Sequence, residues 1–124
     1  MNGARILLVD DSAESRSILA IALRTIGGAN VDVVESAEEA LAYLHGQPVD
    51  VLITDVRMRG MSGLELLDVL RQTAAWPTAG ALVISGETDP ELPRRALDAG
   101  AHAFFGKPFS PGEVRKSVLA LLES

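Results

Sequence analysis

Five polar residues stand directly after apolar runs of the sequence, and their side chains could do chemistry: Asp10, Asp11, Asp55, Ser85 and Lys107. Three carboxylates that lie close together repel one another, unless one takes up a proton or a cation joins them. Mg²⁺ suits such a group because it prefers carboxylate and water oxygens and leaves positions for phosphate, whereas zinc usually recruits His or Cys. A carboxylate beside Mg²⁺ and a lysine can act as a nucleophile toward a phosphoryl group, since this transfer depends on positioning and counter-charges.

The elements that must position these side chains alternate regularly along the chain. Short runs rich in Leu or β-branched residues predict strands, and each run is followed by a segment of helical length and period. Because these runs lack polar alternation, they are typical of parallel strands covered on both faces. Five strand–helix units predict an α/β fold with an open, doubly wound parallel sheet, which binds ligands at the carboxyl ends of its strands. The predicted strands are residues 6–9, 31–34, 49–54, 81–84 and 103–105.

Local signals predict where the helices begin and end. A Ser or Thr followed three residues later by Glu predicts a capping box, in which each side chain bonds the backbone N–H of the other residue. Asp11 or Ser12 is the expected cap of the first helix. Pro93 is expected to delay or kink the fourth helix, because it removes an intrahelical hydrogen bond. The predicted boxes are Ser36 with Glu39, Ser62 with Glu65, Thr88 with Glu91 and Ser110 with Glu113, and the glycines predicted to form left-handed helix ends are Gly27, Gly28, Gly46 and Gly100.

Composition limits the class of protein. The chain has 124 residues, of which 48% are hydrophobic, enough for one folded domain over residues 1–124. The absence of cysteine excludes disulfides, thiolate metal sites and cysteine nucleophiles. No apolar run reaches the roughly 18 residues of a membrane span, and the first residues lack a secretory signal, so we expect a cytoplasmic protein. The net charge of −6 argues against direct binding to nucleic acid and favours protein partners.

Four segments carry a resemblance to a known family: Ile6-Leu7-Leu8-Val9-Asp10-Asp11, Asp55-Val56-Arg57-Met58, Ile84-Ser85-Gly86 and Lys107-Pro108-Phe109. In their order, spacing and position at successive strand ends they resemble the receiver domain of bacterial response regulators in two-component systems. The match covers almost the whole chain, and the layout resembles that of a stand-alone chemotaxis regulator. The resemblance implies a flavodoxin-like (βα)5 fold with a five-stranded sheet in the order 2-1-3-4-5.

The resemblance, together with the chemistry of the side chains, implies a catalytic set. Asp55 is the expected phosphoacceptor. Asp10 and Asp11 are expected to bind Mg²⁺, with Asp11 the direct ligand and Asp10 acting partly through water. Asp55 and the backbone carbonyl of Arg57 are expected to complete the metal site, and Lys107 supplies a second counter-charge for the phosphoryl oxygens. Taken alone, the acidic pair would be interpreted as a solvated turn and helix cap.

The resemblance also implies a switch. Ser85 offers its hydroxyl to a phosphoryl oxygen, and Phe104 stands where the family carries an aromatic ring that turns inward when that hydroxyl moves. Phe105 should point to the opposite face of the sheet and belong to the core. The family further implies a cis peptide bond between Lys107 and Pro108, which proline makes accessible.

Three further residues modify this expectation. Arg57 and Glu87 lie two residues beyond Asp55 and Ser85, at positions that in relatives tune how long the phosphoryl group survives. We expect them to form an ion pair that shields the site from water. Arg59 stands where the family often has proline, so the loop at residues 57–63 lacks that source of stiffness, while the catalytic set is unaffected.

The leading functional hypothesis is a phosphorylation switch that catalyses only its own phosphorylation and dephosphorylation. A histidine kinase or phosphotransfer protein would donate to Asp55, and the surface of the fourth helix, fifth strand and fifth helix would bind a downstream protein or a second copy of the chain. One alternative is a Mg²⁺-dependent phosphohydrolase, although such enzymes typically carry their aspartate nucleophile in an Asp-x-Asp signature after the first strand. The other alternative is a binding module that works without phosphorylation, against which the intact acidic pair and lysine argue.

Overall fold

Five strands and five helices alternate along residues 3–124, which the computed structural model describes. They are β1 Arg5–Val9, α1 Ala13–Arg24, β2 Asn30–Val34, α2 Ala37–Gly46, β3 Val51–Asp55, α3 Gly63–Arg71, β4 Gly80–Ser85, α4 Leu92–Asp98, β5 Ala103–Gly106 and α5 Pro111–Glu123. The strands form one parallel sheet in the order β2-β1-β3-β4-β5, which confirms the predicted fold class. The longest helix has 13 residues, and within residues 3–124 no helix has the length and hydropathy that crossing a membrane requires.

The sheet separates two hydrophobic cores. Successive residues of a strand point to opposite faces. Leu7 and Val9 of β1 therefore pack in the core with α2, α3 and α4, whereas Ile6 and Leu8 pack in the core with α1 and α5. Strand β3 is buried along its whole length, as expected for a central strand covered on both faces. Because both faces are buried, the register of the strands is fixed, and so are the positions of the residues that follow them.

The predicted capping signals mark the starts of most helices. At α3 the box is reciprocal: Ser62 Oγ accepts the N–H of Glu65 at 3.2 Å, and the carboxylate of Glu65 accepts the N–H of Ser62 at 2.9 Å. At α2 Ser36 caps the helix, but the carboxylate of Glu39 bonds the N–H of Glu35 at 3.0 Å, one residue earlier than predicted. The backbone at Ser36 is more extended (φ −149°) than at Ser62 (φ −78°), so the preceding N–H is the one presented to Glu39. The remaining caps are Ser12 for α1 and Ser110 for α5.

The predicted delay of α4 by Pro93 is confirmed, whereas the capping box predicted for Thr88 and Glu91 does not start this helix. The helix begins at Leu92, and its N-cap residue, Glu91, makes no side-chain cap hydrogen bond. Pro93 lies in the first turn, where a missing N–H costs no intrahelical bond, so the proline sets a late start. The residues before the helix form a turn instead, in which the N–H of Glu91 donates to Asp89 Oδ1 at 2.9 Å.

Two of the four predicted left-handed glycines adopt that conformation. Gly28 has a φ of 77° after α1, and Gly100 has a φ of 107° after α4. The predictions for Gly27 and Gly46 are wrong. Gly46 is the last residue of α2, and the chain leaves this helix through an extended residue, Gln47, with a φ of −140°. A chain that leaves a helix in extended conformation needs no left-handed residue, so Gly46 does not form the predicted left-handed helix end.

The start of α3 lies against the backbone of Asp55. A Cβ at Gly63 would stand 1.9 Å from the main-chain oxygen of Asp55, and the N–H of Gly63 donates to the carbonyl of Val56 at 2.8 Å. The helix can approach the end of β3 this closely because the residue has no side chain.

Gly63→Ala is therefore expected to destabilise the chain, because backbone atoms must separate to admit the methyl group. We expect the free energy of unfolding, measured by urea denaturation, to fall by about 2 kcal/mol, as for an overpacked core. Gly112→Ala is the matched control: outside the backbone of its own helix, the nearest neighbour of its added Cβ is Ser110 Oγ at 3.8 Å, so stability should stay unchanged or rise by up to about 1 kcal/mol. Equal stabilities of the two variants would contradict the close approach at Gly63.

Candidate functional site

The carboxyl ends of β1 and β3 bring three carboxylates together. Val9 pairs with Thr54 across these strands, so the next residue of each segment, Asp10 after β1 and Asp55 at the end of β3, lies at the same edge of the sheet. Carboxylate oxygens of Asp10, Asp11 and Asp55 all lie within 4.8 Å of one another. Asp10 is 1% exposed and Asp55 is 6% exposed, whereas Asp11 is exposed. The predicted acidic cluster thus has two buried members and one that faces solvent.

The turn that carries Asp10 is held by hydrogen bonds on several sides. The N–H of Asp10 donates to the carbonyl of Val34 at 3.2 Å, and Asp10 Oδ1 accepts the N–H of Ser12 at 2.9 Å. Nη1 of Arg16 donates to the main-chain oxygen of Asp10 at 2.9 Å and lies 3.9 Å from the carboxylate of Glu35. The role of Arg16 was not predicted from the sequence. The sequence offered one indication: Arg16 lies one helical turn after Ser12, so its side chain is on the side of α1 that faces the turn at Asp10.

Lys107 reaches from the end of β5 to both buried carboxylates. Its Nζ donates to Asp55 Oδ2 at 2.9 Å and to Asp10 Oδ2 at 3.2 Å. The lysine side chain is 22% exposed, so the ion pairs are partly shielded from water. The peptide bond to Pro108 is cis, as the resemblance implies. The structure therefore brings together the lysine and the acids that the sequence places 52 and 97 residues apart.

Burial and charge together shift the titration of this cluster. Burial raises the pKa of the Asp55 carboxyl above its ordinary value of 3.8, and the negative charge of Asp10 adds to the increase, against the hydrogen bond from Lys107. Burial also opposes the charged form of Lys107. The hydrogen bond and charge of Asp55, with those of Asp10, outweigh burial and raise the pKa of the lysine above 10.5. The acids thus depend on positive charge beside them.

Strands β4 and β5 place the two predicted switch residues next to the acids. Ser85 ends β4, is 1% exposed, and accepts the N–H of Glu87 on its Oγ at 3.0 Å. The N–H of Lys107 donates to the carbonyl of Ser85 at 2.8 Å, which joins the ends of β4 and β5. Phe104 packs against the core with α2, α3 and α4, and Phe105 packs against the opposite core, as predicted.

The predicted ion pair between Arg57 and Glu87 is present beyond the acidic cluster. Nη2 of Arg57 lies 2.8 Å from Oε1 of Glu87. The side chain of Arg57 is 79% exposed and that of Glu87 is 27% exposed. Solvent screens a pair as open as this one, so its contribution to stability is small. The ion pair connects the loop after β3, which carries Arg57, to the loop after β4, which carries Glu87.

Comparison with known proteins identifies the family. The sequence model described as the response regulator receiver domain matches residues 6–119. The chain belongs to this family. The receiver is 29% identical to the chemotaxis protein CheY of Pseudomonas aeruginosa, over 96% of each chain. The solved structure of the chemotaxis response regulator CheY4 of Vibrio cholerae superposes with a TM-score of 0.84 at 30% identity, covering 95% of this chain and 98% of that one.

Other relatives of this receiver are much longer. It is 37% identical to the hydrogenase transcriptional regulatory protein HoxA of Cupriavidus necator, over 98% of this chain and 24% of that protein. It spans 14% of the gliding motility regulatory protein of Myxococcus xanthus and 52% of the two-component response regulator ORR1 of Oryza sativa.

In this receiver, a residue of α2 contacts the loop between β3 and α3. Arg59 of that loop, which stands where the resemblance leads us to expect proline, is exposed. Oε2 of Glu38 accepts the N–H of Met61 at 3.1 Å. This hydrogen bond lowers the pKa of the Glu38 carboxyl. Gly60 has a φ of 81°, and a Cβ there would stand 2.8 Å from the same carboxylate. This contact was not predictable from the sequence, because no local pattern links residues that are 23 positions apart.

The donor atoms of the acidic cluster fit a hard divalent cation. The three candidate ligands are carboxylate oxygens within 4.8 Å of one another, with no His or Cys among them. Mg²⁺ prefers such donors, whereas zinc sites usually recruit His or Cys as well. Asp10, Asp11 and Asp55 would hold the ion. When bound, Mg²⁺ supplies positive charge that offsets both the repulsion of the acids and the charge of an incoming phosphoryl group.

Proposed function

We propose that residues 1–124 form one receiver domain that works as a phosphorylation-dependent signalling switch, with Asp55 as the phosphoacceptor. The position of Asp55 carries this proposal. Its carboxylate is buried at the end of the central strand, beside two further carboxylates, and accepts a hydrogen bond from Lys107. Burial of a carboxylate in such repulsive surroundings is unfavourable for folding, and is typical of a site that chemistry requires. Membership of the receiver family supports the same function.

The proposed phosphodonor is a phosphorylated histidine of a histidine kinase or phosphotransfer protein. A carboxylate oxygen of Asp55 attacks phosphorus, an O–P bond forms as the N–P bond breaks, and the electron pair of the broken bond returns to the histidine ring. Lys107 holds positive charge beside the phosphoryl oxygens. Asp10, Asp11, Asp55 and the backbone carbonyl of Arg57 would hold Mg²⁺, which would supply further positive charge there. Water later cleaves the acyl phosphate and restores the carboxylate. The domain catalyses its own two steps and turns over no separate substrate.

Ser85 and Phe104 carry the change away from the acceptor. The hydroxyl of Ser85, which accepts a hydrogen bond from Glu87, donates to an oxygen of the phosphoryl group on Asp55 and draws the loop after β4 inward. Phe104 pairs with the neighbouring strand and turns inward as that loop moves. The surface of α4, β5 and α5, on which Leu97 is 52% exposed, then binds a downstream protein or a second copy of the chain. Such a switch needs a coupling of only about 1–3 kcal/mol.

A groove beside the acceptor suits the phosphodonor. It has a volume of about 570 Å³ and lies between α1 and the loop that follows β5. Ile18 of α1 and Phe109 of the loop line it, and Lys107 lies at the same groove. Ile18 is 44% exposed and Ile21, also on α1, is 68% exposed. An apolar surface that continues to the lysine allows a donor protein to bring its histidine to Asp55.

Arg57→Ala is expected to shorten the lifetime of the phosphoryl group, because removal of the ion pair with Glu87 opens the site to water. The pair is largely exposed, so we expect only a several-fold faster loss of phosphate, corresponding to about 1 kcal/mol or less. The rate is measured by following the mass of the phosphorylated chain after the donor is removed. Arg59→Ala, which changes an exposed arginine in the same loop, is the control, and equal rates in both variants would rule out the shielding role.

The experiment that tests the function incubates the chain with Mg²⁺ and acetyl phosphate. We expect the mass to rise by one phosphoryl group per chain, and a chelator of Mg²⁺ to prevent this. Beryllofluoride should shift the amide signals of Ser85 and Phe104 in the same direction as phosphorylation. Absence of both responses would refute the switch. Continuous release of phosphate in large excess over the protein would indicate a phosphohydrolase instead.

A further inference from the structure

Arg16 contacts the acidic turn, yet no step of the transfer uses it. Its Nη1 donates to the main-chain oxygen of Asp10 at 2.9 Å. The side chain is only 19% exposed, although it carries a full charge. A guanidinium is costly to bury unless its donors are used, and its planar, always charged form suits a fixed hydrogen-bonding position. The charged hydrogen bond that Arg16 makes is therefore the feature that explains its low exposure.

The oxygen that Arg16 contacts belongs to the peptide group between Asp10 and Asp11. A peptide group is planar, so the direction of this carbonyl fixes the direction in which the chain enters Asp11. The other hydrogen bonds of the turn act elsewhere: the N–H of Asp10 bonds Val34, and Asp10 Oδ1 bonds the N–H of Ser12. The bond from Arg16 therefore orients the link between the two neighbouring carboxylates.

The ion pair of Arg16 with Glu35 contributes much less. The charged atoms are 3.9 Å apart and the side chain of Glu35 is 64% exposed. An exposed pair at this distance is screened by solvent and typically adds little. The hydrogen bond to Asp10 is short and its donor is charged, and such bonds are about twice as strong as neutral ones. The carbonyl contact is therefore the one that can position the turn.

We propose that Arg16 is a positioning residue for the divalent cation. By holding the carbonyl of Asp10, it sets the carboxylates of Asp10 and Asp11 in the arrangement that binds Mg²⁺, so that the turn need not reorder when the ion arrives. This inference rests on the proposed function, because it assumes that the acidic cluster binds Mg²⁺. Removal of a residue that orients metal ligands typically weakens metal affinity by about 10- to 100-fold.

The test compares the Mg²⁺ affinity of full-length variants by calorimetric titration. Arg16→Met keeps an apolar stem but loses the donor and the charge, and we expect its dissociation constant to rise about tenfold. Arg16→Lys can still donate to the carbonyl and should recover most of the lost affinity. Arg24→Met changes an exposed arginine of the same helix and should bind as the wild type does. Glu35→Gln removes the weak ion pair alone and should also bind normally.

A second measurement separates positioning from a merely structural role. In the metal-free chain, the amide of Ser12 should exchange its hydrogen faster in Arg16→Met than in Arg24→Met, because its acceptor on Asp10 is less well held. Equal Mg²⁺ affinity in wild type and Arg16→Met would overturn the inference and leave the proposed function intact. Failure of the wild type to bind Mg²⁺ would overturn both. If Arg16→Met does not fold, Arg16→Gln takes its place. The glutamine side chain is polar, but it is neutral and too short to reach the Asp10 carbonyl, so equal Mg²⁺ affinity in this variant and the wild type would overturn the inference.

Discussion

Replacement of Asp55 by Asn is expected to abolish phosphorylation while leaving the fold intact. The amide oxygen can still accept the hydrogen bond from Lys107, but it is a poor nucleophile toward phosphorus. Loss of a nucleophile typically slows a reaction by more than about 1,000-fold. We therefore expect no gain of mass with Mg²⁺ and acetyl phosphate under conditions that fully modify the wild type.

The same variant should be at least as stable as the wild type at neutral pH. Burial raises the pKa of Asp55, so this group favours the folded state most when it is protonated, below its pKa in the unfolded chain. That contribution is lost as the pH rises through the higher pKa of the folded chain. Asn carries no charge at any of these pH values and removes the penalty. Urea denaturation at neutral pH measures the difference.

Asp68→Asn is the control for both measurements, because Asp68 is exposed on α3 and outside the acidic cluster. It should accept a phosphoryl group at the wild-type rate. If Asp55→Asn gains the same mass at the same rate, the acceptor is another residue.

Lys107→Met should produce the second large effect, on both rate and stability. Removal of one preorganised counter-charge slows reactions that develop negative charge by about 100-fold or more, so the mass gain with acetyl phosphate should be correspondingly slow. The variant also leaves Asp10 and Asp55 buried without the amine that bonds both. Breaking a fully buried pair costs about 3–5 kcal/mol. Because the lysine is 22% exposed, solvent screening reduces our expectation to about 2 kcal/mol.

The loss of stability in Lys107→Met should depend on pH and on Mg²⁺. Without the amine, the pKa of Asp55 in the folded chain rises further, since Lys107 is a cause that lowers it. The destabilisation is then largest at neutral pH and shrinks as the pH falls through that raised pKa, because the protonated acid no longer repels Asp10. Mg²⁺ should stabilise the variant more than the wild type, because it supplies positive charge at the same acids.

Urea denaturation at neutral and mildly acidic pH, with and without Mg²⁺, measures these effects. Lys116→Met is the matched control, because Lys116 is 75% exposed on α5 and its ion pair is with an exposed glutamate at 3.7 Å. Its stability should stay close to that of the wild type under every condition. A loss in Lys107→Met that is the same at both pH values and insensitive to Mg²⁺ would show that the lysine acts through packing alone.

The elements of the fold and the members of the site were largely predictable from the sequence. Apolar runs predicted all five strands to within two residues at either end, because strands covered on both faces have a distinctive composition. Residues that directly follow parallel strands must share one edge of the sheet, so Asp10, Asp55, Ser85 and Lys107 could be grouped without coordinates. Strand order came from the family resemblance, since periodicity carries no information about which strands are neighbours.

The features that sequence analysis missed depend on contacts between distant segments. Glu38 bonds the N–H of Met61 across 23 residues, and no local pattern joins the two. Arg16 resembles any charged residue of a surface helix until its contact with the Asp10 carbonyl is seen. The capping box predicted before α4 fails for another reason: Thr88 and Glu91 match the local signal, but Pro93 delays the helix, as predicted, so that it begins at Leu92.

The sheet separates the two neighbouring phenylalanines of β5 into different parts of the interior. Phe104 and Phe105 are adjacent in the chain but belong to different cores. A turn of the Phe104 ring, as proposed above, would take place in the core shared by α2, α3 and α4. The proposed donor groove lies along α1, which packs on the core across the sheet from that ring. The surface offered to a donor and the ring proposed to respond are thus placed on opposite faces of one sheet.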